Sequence, residues 1–148
     1  MTFKCLRTET TIKFARVLVM STSLTLATVG MLETASAKDF SSVFLNKGYN
    51  YCDAKLLAGF WGMSVDQAKS AGGEKIANGG NKNLKNAMAQ ARQQGRCDWS
   101  DTGYGYEDAE ALSRYWGRSV DEAKSKVANM FTSGDAKGVA RALKKARG

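Results

Sequence analysis

Two aspartates at matched positions are the first residues that could carry chemistry. Asp53 and Asp108 each come shortly after a pair of tyrosines, and two carboxylates that face each other could divide acid and base catalysis between them. The sequence contains no histidine, which removes the commonest general base and metal ligand near neutral pH. Both aspartates also stand where helices are expected to begin, where an acid caps the helix or meets its positive dipole. We therefore predict structural roles for both, no catalytic residue and no enzyme.

Cys52 and Cys97 are the cysteines that follow the first 37 residues of the chain. Neither belongs to a Cys-x-x-Cys motif, so the sequence encodes no cysteine zinc site and no thioredoxin-type redox site. Residues 98–103 match part of an EF-hand loop, but Ala109 stands where that loop needs a bidentate glutamate. We predict no metal and no cofactor. A disulfide between Cys52 and Cys97 would close a loop of about 45 residues and contribute roughly 4 kcal/mol.

A repeated tyrosine segment is the candidate ligand site. The pattern Gly-Tyr-x-Tyr-x-Asp-Ala occurs twice and contains Tyr49, Tyr51, Tyr104 and Tyr106. In an extended segment, the spacing of i and i+2 places both rings of a pair on one face. Tyrosine suits the wall of a ligand site because its ring is apolar and its tip is polar. The alternative is that the rings only hold the start of each helix to the core, and the sequence leaves open whether the two segments meet in one cleft.

The carboxyl-terminal stretch is the most basic part of the chain. Its cations alternate with apolar residues at helical spacing, and they are Lys137, Arg141, Lys144, Lys145 and Arg147. A basic amphipathic helix can lie on anionic lipid or contact phosphates. We therefore predict an anionic-surface site here. The alternative is a solvated helix end, where cations offset the helix dipole.

The second half of the chain repeats the first at a constant offset, without a gap. For example, a string that opens Trp-Gly-x-Ser-Val-Asp recurs, and we assign structural roles to its residues Trp61, Gly62, Ser64, Trp116, Gly117 and Ser119. The glycines are expected to end one helix in the left-handed conformation. Each serine opens a capping box at the start of the next helix. This duplication is the main architectural fact that the sequence carries.

Each repeat contains three stretches with the period of an amphipathic helix. A unit of about 45 residues is marginally stable alone because it buries too little surface. We predict an all-α fold of two tandem copies of a short three-helix unit that share one core and are related by a pseudo-twofold axis. The aromatic pairs at 60–61 and 115–116 are expected to supply the largest apolar area. Residues 38–47 are expected to add a short helix that covers an exposed face.

The first 37 residues have the features of a secretory signal. A basic front end is followed by an apolar stretch over residues 17–32 and by Ala35-Ser36-Ala37, a small-x-small cleavage site. This stretch is shorter than the roughly 20 apolar residues of a membrane span, so we predict cleavage, with an uncleaved anchor as the alternative. We predict export to the periplasm or the extracellular space, and no transmembrane span in the mature chain.

The predicted organisation has five parts. They are a signal peptide over 1–37, an amino-terminal segment over 38–47, helical repeat 1 over 48–93, a connector over 94–102 and helical repeat 2 over 103–148. Setting aside the signal, with its four basic and two acidic residues, lowers the net charge from +8 to +6. Such a balance favours acidic partners, although it also serves solubility alone.

These observations favour an exported, non-enzymatic binding or assembly module. Its partner is expected to be an envelope protein or an acidic polymer or surface. A cationic effector that binds nucleic acid or anionic membrane through the last helix is the alternative. A small lytic or wall-directed enzyme comes third. The sequence leaves the ligand and the oligomeric state open.

Overall fold

The structure is a computed structural model that describes residues 39–148 of the chain. The predicted signal peptide, residues 1–37, lies outside the described residues. Within the described part the secondary structure is helical and contains no strand, which confirms the predicted all-α class. The helices are α1 (Phe40–Asn46), α2 (Tyr51–Trp61), α3 (Val65–Ala77), α4 (Asn81–Gln94), α5 (Tyr106–Trp116), α6 (Val120–Ser133) and α7 (Ala136–Ala146). A short 3-10 turn covers Trp99–Asp101.

Local sequence signals set the boundaries between the first and second helix of each repeat. Gly62 ends α2 with φ of 67° and Gly117 ends α5 with φ of 63°, a conformation that costs glycine little. Ser64 then accepts a hydrogen bond from the backbone N–H of Gln67, whose side chain accepts one from the N–H of Ser64. Ser119 opens α6 with a capping box of the same form. These interactions satisfy N–H groups that a helix start leaves without partners.

One hydrophobic cluster contains buried side chains from both sequence repeats. Its fully buried members include Leu57 of α2, Leu84 of α4, Leu112 of α5 and Val139 of α7. These side chains occupy inward positions of amphipathic helices, so their burial follows from the helical period. Among residues 39–148, no helix is long and apolar enough to cross a membrane.

Helix α1 packs closely on α3 because α3 carries two adjacent glycines. The Phe44 ring is fully buried, and a Cβ atom on Gly72 would lie 2.6 Å from its Cδ2 atom. A Cβ atom on Gly73 would overlap the carbonyl oxygen of Phe40. The expected helix within residues 38–47 is therefore present, and it covers the first repeat.

The aromatic pairs contribute less to the core than we expected. Tyr115 is 45% exposed, so the prediction that it supplies a large buried area is wrong. Trp61 and Trp116 are only partly buried, and the Nζ atom of Lys126 lies 4.2 Å from the centroid of the Trp116 ring. Both tryptophans are the last residue of their helix, so they pack at the rim while leucine and alanine fill the centre.

Candidate functional site

The two candidate catalytic carboxylates are both held by a helix start and by an arginine. Asp53 accepts hydrogen bonds from the backbone N–H of Asn50, at 3.1 Å, and from Nη2 of Arg92, at 2.8 Å. Asp108 accepts a hydrogen bond from the backbone N–H of Gly105, at 2.8 Å, and pairs with Arg147. The side chain of Asp53 is 5% exposed, so its charge depends on these donors. The two aspartates therefore form structural ion pairs, and each carboxylate already has hydrogen-bond donors.

Arg92 also joins the two sequence repeats. Its guanidinium group lies against Gly134 in the turn between α6 and α7, where a Cβ atom would be 2.5 Å from Cζ of Arg92. Gly134 has φ of 87°, a left-handed conformation that favours glycine, and a side chain at this position would displace the Arg92 guanidinium group. The Nε atom of Arg92 is buried with no acceptor among the described residues. The arginine is thus fixed by Asp53 on one side and by the following repeat on the other.

A cleft lies at this junction, and we call it the inter-repeat cleft. Its volume is about 380 Å³, which is in the range of small-molecule sites. Residues of the first repeat and the segment before it form one wall, and the start of α7 forms the other. The lining residues are Lys47, Gly48, Tyr49, Asn50, Asp53, Arg92, Gly134, Asp135, Ala136, Lys137 and Arg141.

The four candidate ligand-binding tyrosines have different surroundings. Tyr49 lines the inter-repeat cleft and stacks on Phe44 with ring centroids 4.7 Å apart. Tyr104 packs edge-on against Phe131, with centroids 5.9 Å apart. Tyr51 and Tyr106 are 48% and 59% exposed. Each of these two is the first residue of its helix, so the segment is not extended through both tyrosines and the rings of a pair do not share one environment.

The two exposed tyrosines each lie beside a lysine at a matched position. The Nζ atom of Lys69 is 5.3 Å from the centroid of the Tyr51 ring, and that of Lys124 is 5.2 Å from the Tyr106 ring. Such cation–π contacts at exposed sites contribute about 0.5–1 kcal/mol. They account for these rings as surface contacts between the first and second helix of each repeat.

The partly buried tyrosines have altered acidity. Burial raises the pKa of Tyr49 above 10.0, the charge of Asp53 raises it further, and Arg92 lowers it. Burial and then the charge of Asp108 raise the pKa of Tyr104. Both hydroxyls therefore stay protonated at neutral pH, which makes Tyr49 a possible hydrogen-bond donor in the cleft.

Helix α7 divides its residues between the core and solvent. Val139 and Leu143 are buried, and the five predicted anion-contacting residues Lys137, Arg141, Lys144, Lys145 and Arg147 are exposed. Arg147 is already paired with Asp108, and Arg141 lies 3.8 Å from Asp135. The structure therefore brings Lys137 and Arg141 into the inter-repeat cleft and leaves Lys144 and Lys145 on the exposed face.

The connector between the repeats is tied to α2 at two points. Cys52 and Cys97 are paired at disulfide distance, with Cα atoms 5.7 Å apart, as predicted. The Nζ atom of Lys55 donates hydrogen bonds to Asp98 at 3.0 Å and to Asp101 at 2.6 Å. These hydrogen bonds raise the pKa of Lys55. In the segment that resembles part of an EF-hand loop, Asp98 is thus paired with a lysine ammonium group.

Residues 39–148 contain no cluster of three or more cysteine, aspartate or glutamate side chains that could hold a metal ion.

Sequence reasoning missed several residues of the inter-repeat cleft. Lys47, Arg92 and Gly134 were not candidates, although Arg92 and Arg147 recur in the same register as Asp53 and Asp108. That matched recurrence of opposite charges is the signal that could have predicted the ion pairs. The contact of Arg92 with Gly134 joins residues far apart in sequence and has no local signature.

No protein-family model, curated protein or solved structure matches this chain.

Proposed function

We propose that this chain is an exported, non-enzymatic binding module whose ligand occupies the inter-repeat cleft. One observation carries the proposal, namely that Tyr49, Lys137 and Arg141 of two different predicted sites line one cleft between the repeats. The proposal includes two copies of a three-helix unit with one shared core. Two observations support that arrangement. Helices α2 and α5 begin and end at matched positions of the sequence repeat, and each repeat contains an Asp–Arg ion pair. A pseudo-twofold relation between the copies stays a prediction.

Export is supported by the signal-like first 37 residues and by the pairing of Cys52 with Cys97, since disulfides persist in oxidising compartments. The test is expression of the full chain with a carboxyl-terminal tag, followed by fractionation and intact-mass measurement. We expect a product that begins at Lys38 in the exported fraction and contains no free thiol. Full-length protein in the cytosol with two free thiols at Cys52 and Cys97 would contradict export.

A binding role rather than catalysis is supported by the way both candidate carboxylates are used. Asp53 and Asp108 each accept hydrogen bonds from a helix start and an arginine, so structural contacts account for both residues without a catalytic role. We expect the Asp53→Asn and Asp108→Asn variants to have a lower free energy of unfolding than the wild type. We expect neither substitution to remove an enzymatic activity. A hydrolytic activity on wall polymers that both variants abolish while still folded would favour the enzyme alternative.

A second candidate function rests on the exposed basic face of α7. Lys144 and Lys145 are exposed, whereas Val139 and Leu143 on the opposite face are buried in the core. A helix that binds a bilayer buries its apolar face in the lipid, and here that face is already used. This favours a polyanion such as nucleic acid over a membrane as the partner of α7.

This second candidate has a direct test. Binding of a fluorescent oligonucleotide is measured against salt concentration for the wild type and for Lys144→Glu/Lys145→Glu. We expect a negative log–log slope that scales with the number of phosphates contacted, and a smaller slope in the variant. Lys82→Glu/Lys85→Glu in α4 is the matched control. An equal effect of both double variants, or preferential binding to anionic vesicles, would contradict a nucleic-acid role for α7.

A further inference from the structure

The inter-repeat cleft contains more positive than negative charge that is free to act on a ligand. Of its two carboxylates, Asp53 is paired with Arg92 at 2.8 Å, and Asp135 accepts a hydrogen bond from the backbone N–H of Gly138 at 2.9 Å. Asp135 also lies 3.8 Å from Arg141. Neither Lys47 nor Lys137 has a carboxylate partner among residues 39–148. The cleft therefore retains two lysines with no counter-charge.

A neutral hydrogen-bond donor lines the same cleft. The hydroxyl of Tyr49 has no acceptor among the described residues, and burial raises its pKa so that it keeps its proton. Stacking on Phe44 orients the Tyr49 ring. At the opposite wall α7 begins at Ala136, and the Asp135 carboxylate caps its first turn. Side-chain cations from two separate segments and a phenol donor thus converge on one concavity.

We propose that the inter-repeat cleft binds a small molecule through a compact oxyanion group, a phosphate or a carboxylate, placed between Lys47 and Lys137. This inference rests on the proposed function and names its ligand class. Lys137 and Arg141 bind the anion from the α7 side, and Tyr49 donates a hydrogen bond from the wall formed by the first repeat. The cleft volume of about 380 Å³ suits a small molecule rather than a polymer strand.

The matched positions of the first repeat provide an internal control. Lys82 of α4 corresponds to Lys137 in the sequence repeat, and Asn86 stands where the second repeat has Arg141. Lys82 is exposed in α4, yet it does not line the inter-repeat cleft. A charge change at Lys82 therefore alters the net charge as much as a change at Lys137, but it leaves the cleft intact.

The experiment measures binding of inorganic tripolyphosphate and of citrate to the wild-type protein by calorimetry. We expect one site per chain for at least one probe. The Lys47→Ala/Lys137→Ala variant should bind about ten-fold more weakly, because charge-assisted hydrogen bonds are lost. The Lys82→Ala/Lys85→Ala control should bind as the wild type does. Thermal unfolding of each variant without probe shows that it is folded.

The outcomes separate this inference from the broader function. Equal weakening in both variants, or no binding of either probe to the wild type, overturns the oxyanion assignment. If an uncharged ligand instead raises the melting temperature of the wild type but not of a folded Lys137→Glu variant, the cleft binds ligand and only its assigned class is wrong. A 5′-phosphorylated oligonucleotide and phosphate-bearing lipid vesicles serve as further arms. Tighter binding of either than of tripolyphosphate would identify a polymer end or a lipid headgroup as the source of the oxyanion.

Discussion

The second helices of the two sequence repeats, α3 and α6, differ at the two positions where neighbouring chain approaches them. In α3 these positions are Gly72 and Gly73, and α1 packs against them so closely that a Cβ atom on Gly73 would overlap a carbonyl oxygen. In α6 the matched residues are Val127 and Ala128, and both are buried. At these positions the first repeat is therefore covered by α1, through the Phe44 ring and the Phe40 backbone. The second repeat fills the same positions with its own side chains.

The two Asp–Arg ion pairs also differ between the repeats. Arg92 pairs with Asp53 and packs on Gly134, with its side chain 29% exposed. Arg147 pairs with Asp108 but its side chain is 57% exposed. Matched sequences thus have unequal roles, because Arg92 also lies against Gly134 of the second repeat whereas Arg147 pairs with Asp108 within its own repeat. The distinctive interactions therefore lie at the junction and not within the repeated unit.

The largest effect is expected from the disulfide, which has no counterpart in the repeated pattern. The Cys52→Ala/Cys97→Ala variant should lose about 4 kcal/mol of unfolding free energy, because the closed loop no longer restricts the unfolded chain. Urea denaturation in oxidising buffer measures this. Titration of equal free thiol in the oxidised and reduced wild type would show that the bridge does not form and would remove this asymmetry between the repeats.

The next largest effect is expected from filling the space between α1 and α3. Gly73→Ala should cost about 3 kcal/mol, because the new Cβ atom displaces the backbone of Phe40. The matched exchange Ala128→Gly in α6 should cost only about 1 kcal/mol, through helix propensity. Urea denaturation compares the two variants. Equal losses would mean that α1 does not depend on the glycine pair.

Removing each arginine separately should lower the free energy of unfolding by unequal amounts. Arg92→Ala leaves the buried carboxylate of Asp53 without its charged donor and should cost about 2 kcal/mol. Arg147→Ala removes an exposed pair and should cost less than about 1 kcal/mol. Thermal and urea denaturation of both variants provide the measurement. A larger loss from Arg147→Ala would contradict the assigned role of Arg92 at the junction.

The smallest effect concerns tyrosine ionisation. The folded pKa of Tyr49 is raised above 10.0, so its contribution to stability is complete below pH 10 and is lost as the pH rises through the folded pKa. Arg92→Ala should raise the pKa of Tyr49 further, because Arg92 opposes that shift. Burial and Asp108 set the pKa of Tyr104, so Arg147→Ala should change it little. Phenolate absorbance, with Tyr49→Phe and Tyr104→Phe as references, tests this; equal shifts would contradict the contrast.

Local rules allowed much of the fold to be predicted from the sequence. Glycine stops, serine capping boxes and apolar periodicity act within a few residues, so the helix boundaries at Gly62 and Ser64 and at their counterparts could be placed without tertiary information. The position of Tyr115 could not, since burial depends on which neighbouring helix covers each face. A helical period identifies an apolar stripe but does not tell which of its large residues lies at the rim.

The inter-repeat cleft was only partly predictable for a related reason. Tyr49, Lys137 and Arg141 were each candidates, but for two different sites. Their proximity results from the end of α4 meeting the turn between α6 and α7, a contact made by Arg92 and Gly134. Such a contact is not encoded by spacing along the chain. The recurrence of opposite charges at matched repeat positions can suggest an ion pair, but it does not predict the cleft beside that pair.

The contact between Arg92 and Gly134 places the end of α4 against the turn before α7. Fraying of the end of α4 would remove that packing from the turn. We therefore expect amide hydrogen exchange at the start of α7 to follow the same opening event as exchange at the end of α4. We also expect the duplicated chain to unfold cooperatively across its junction instead of as two independent segments.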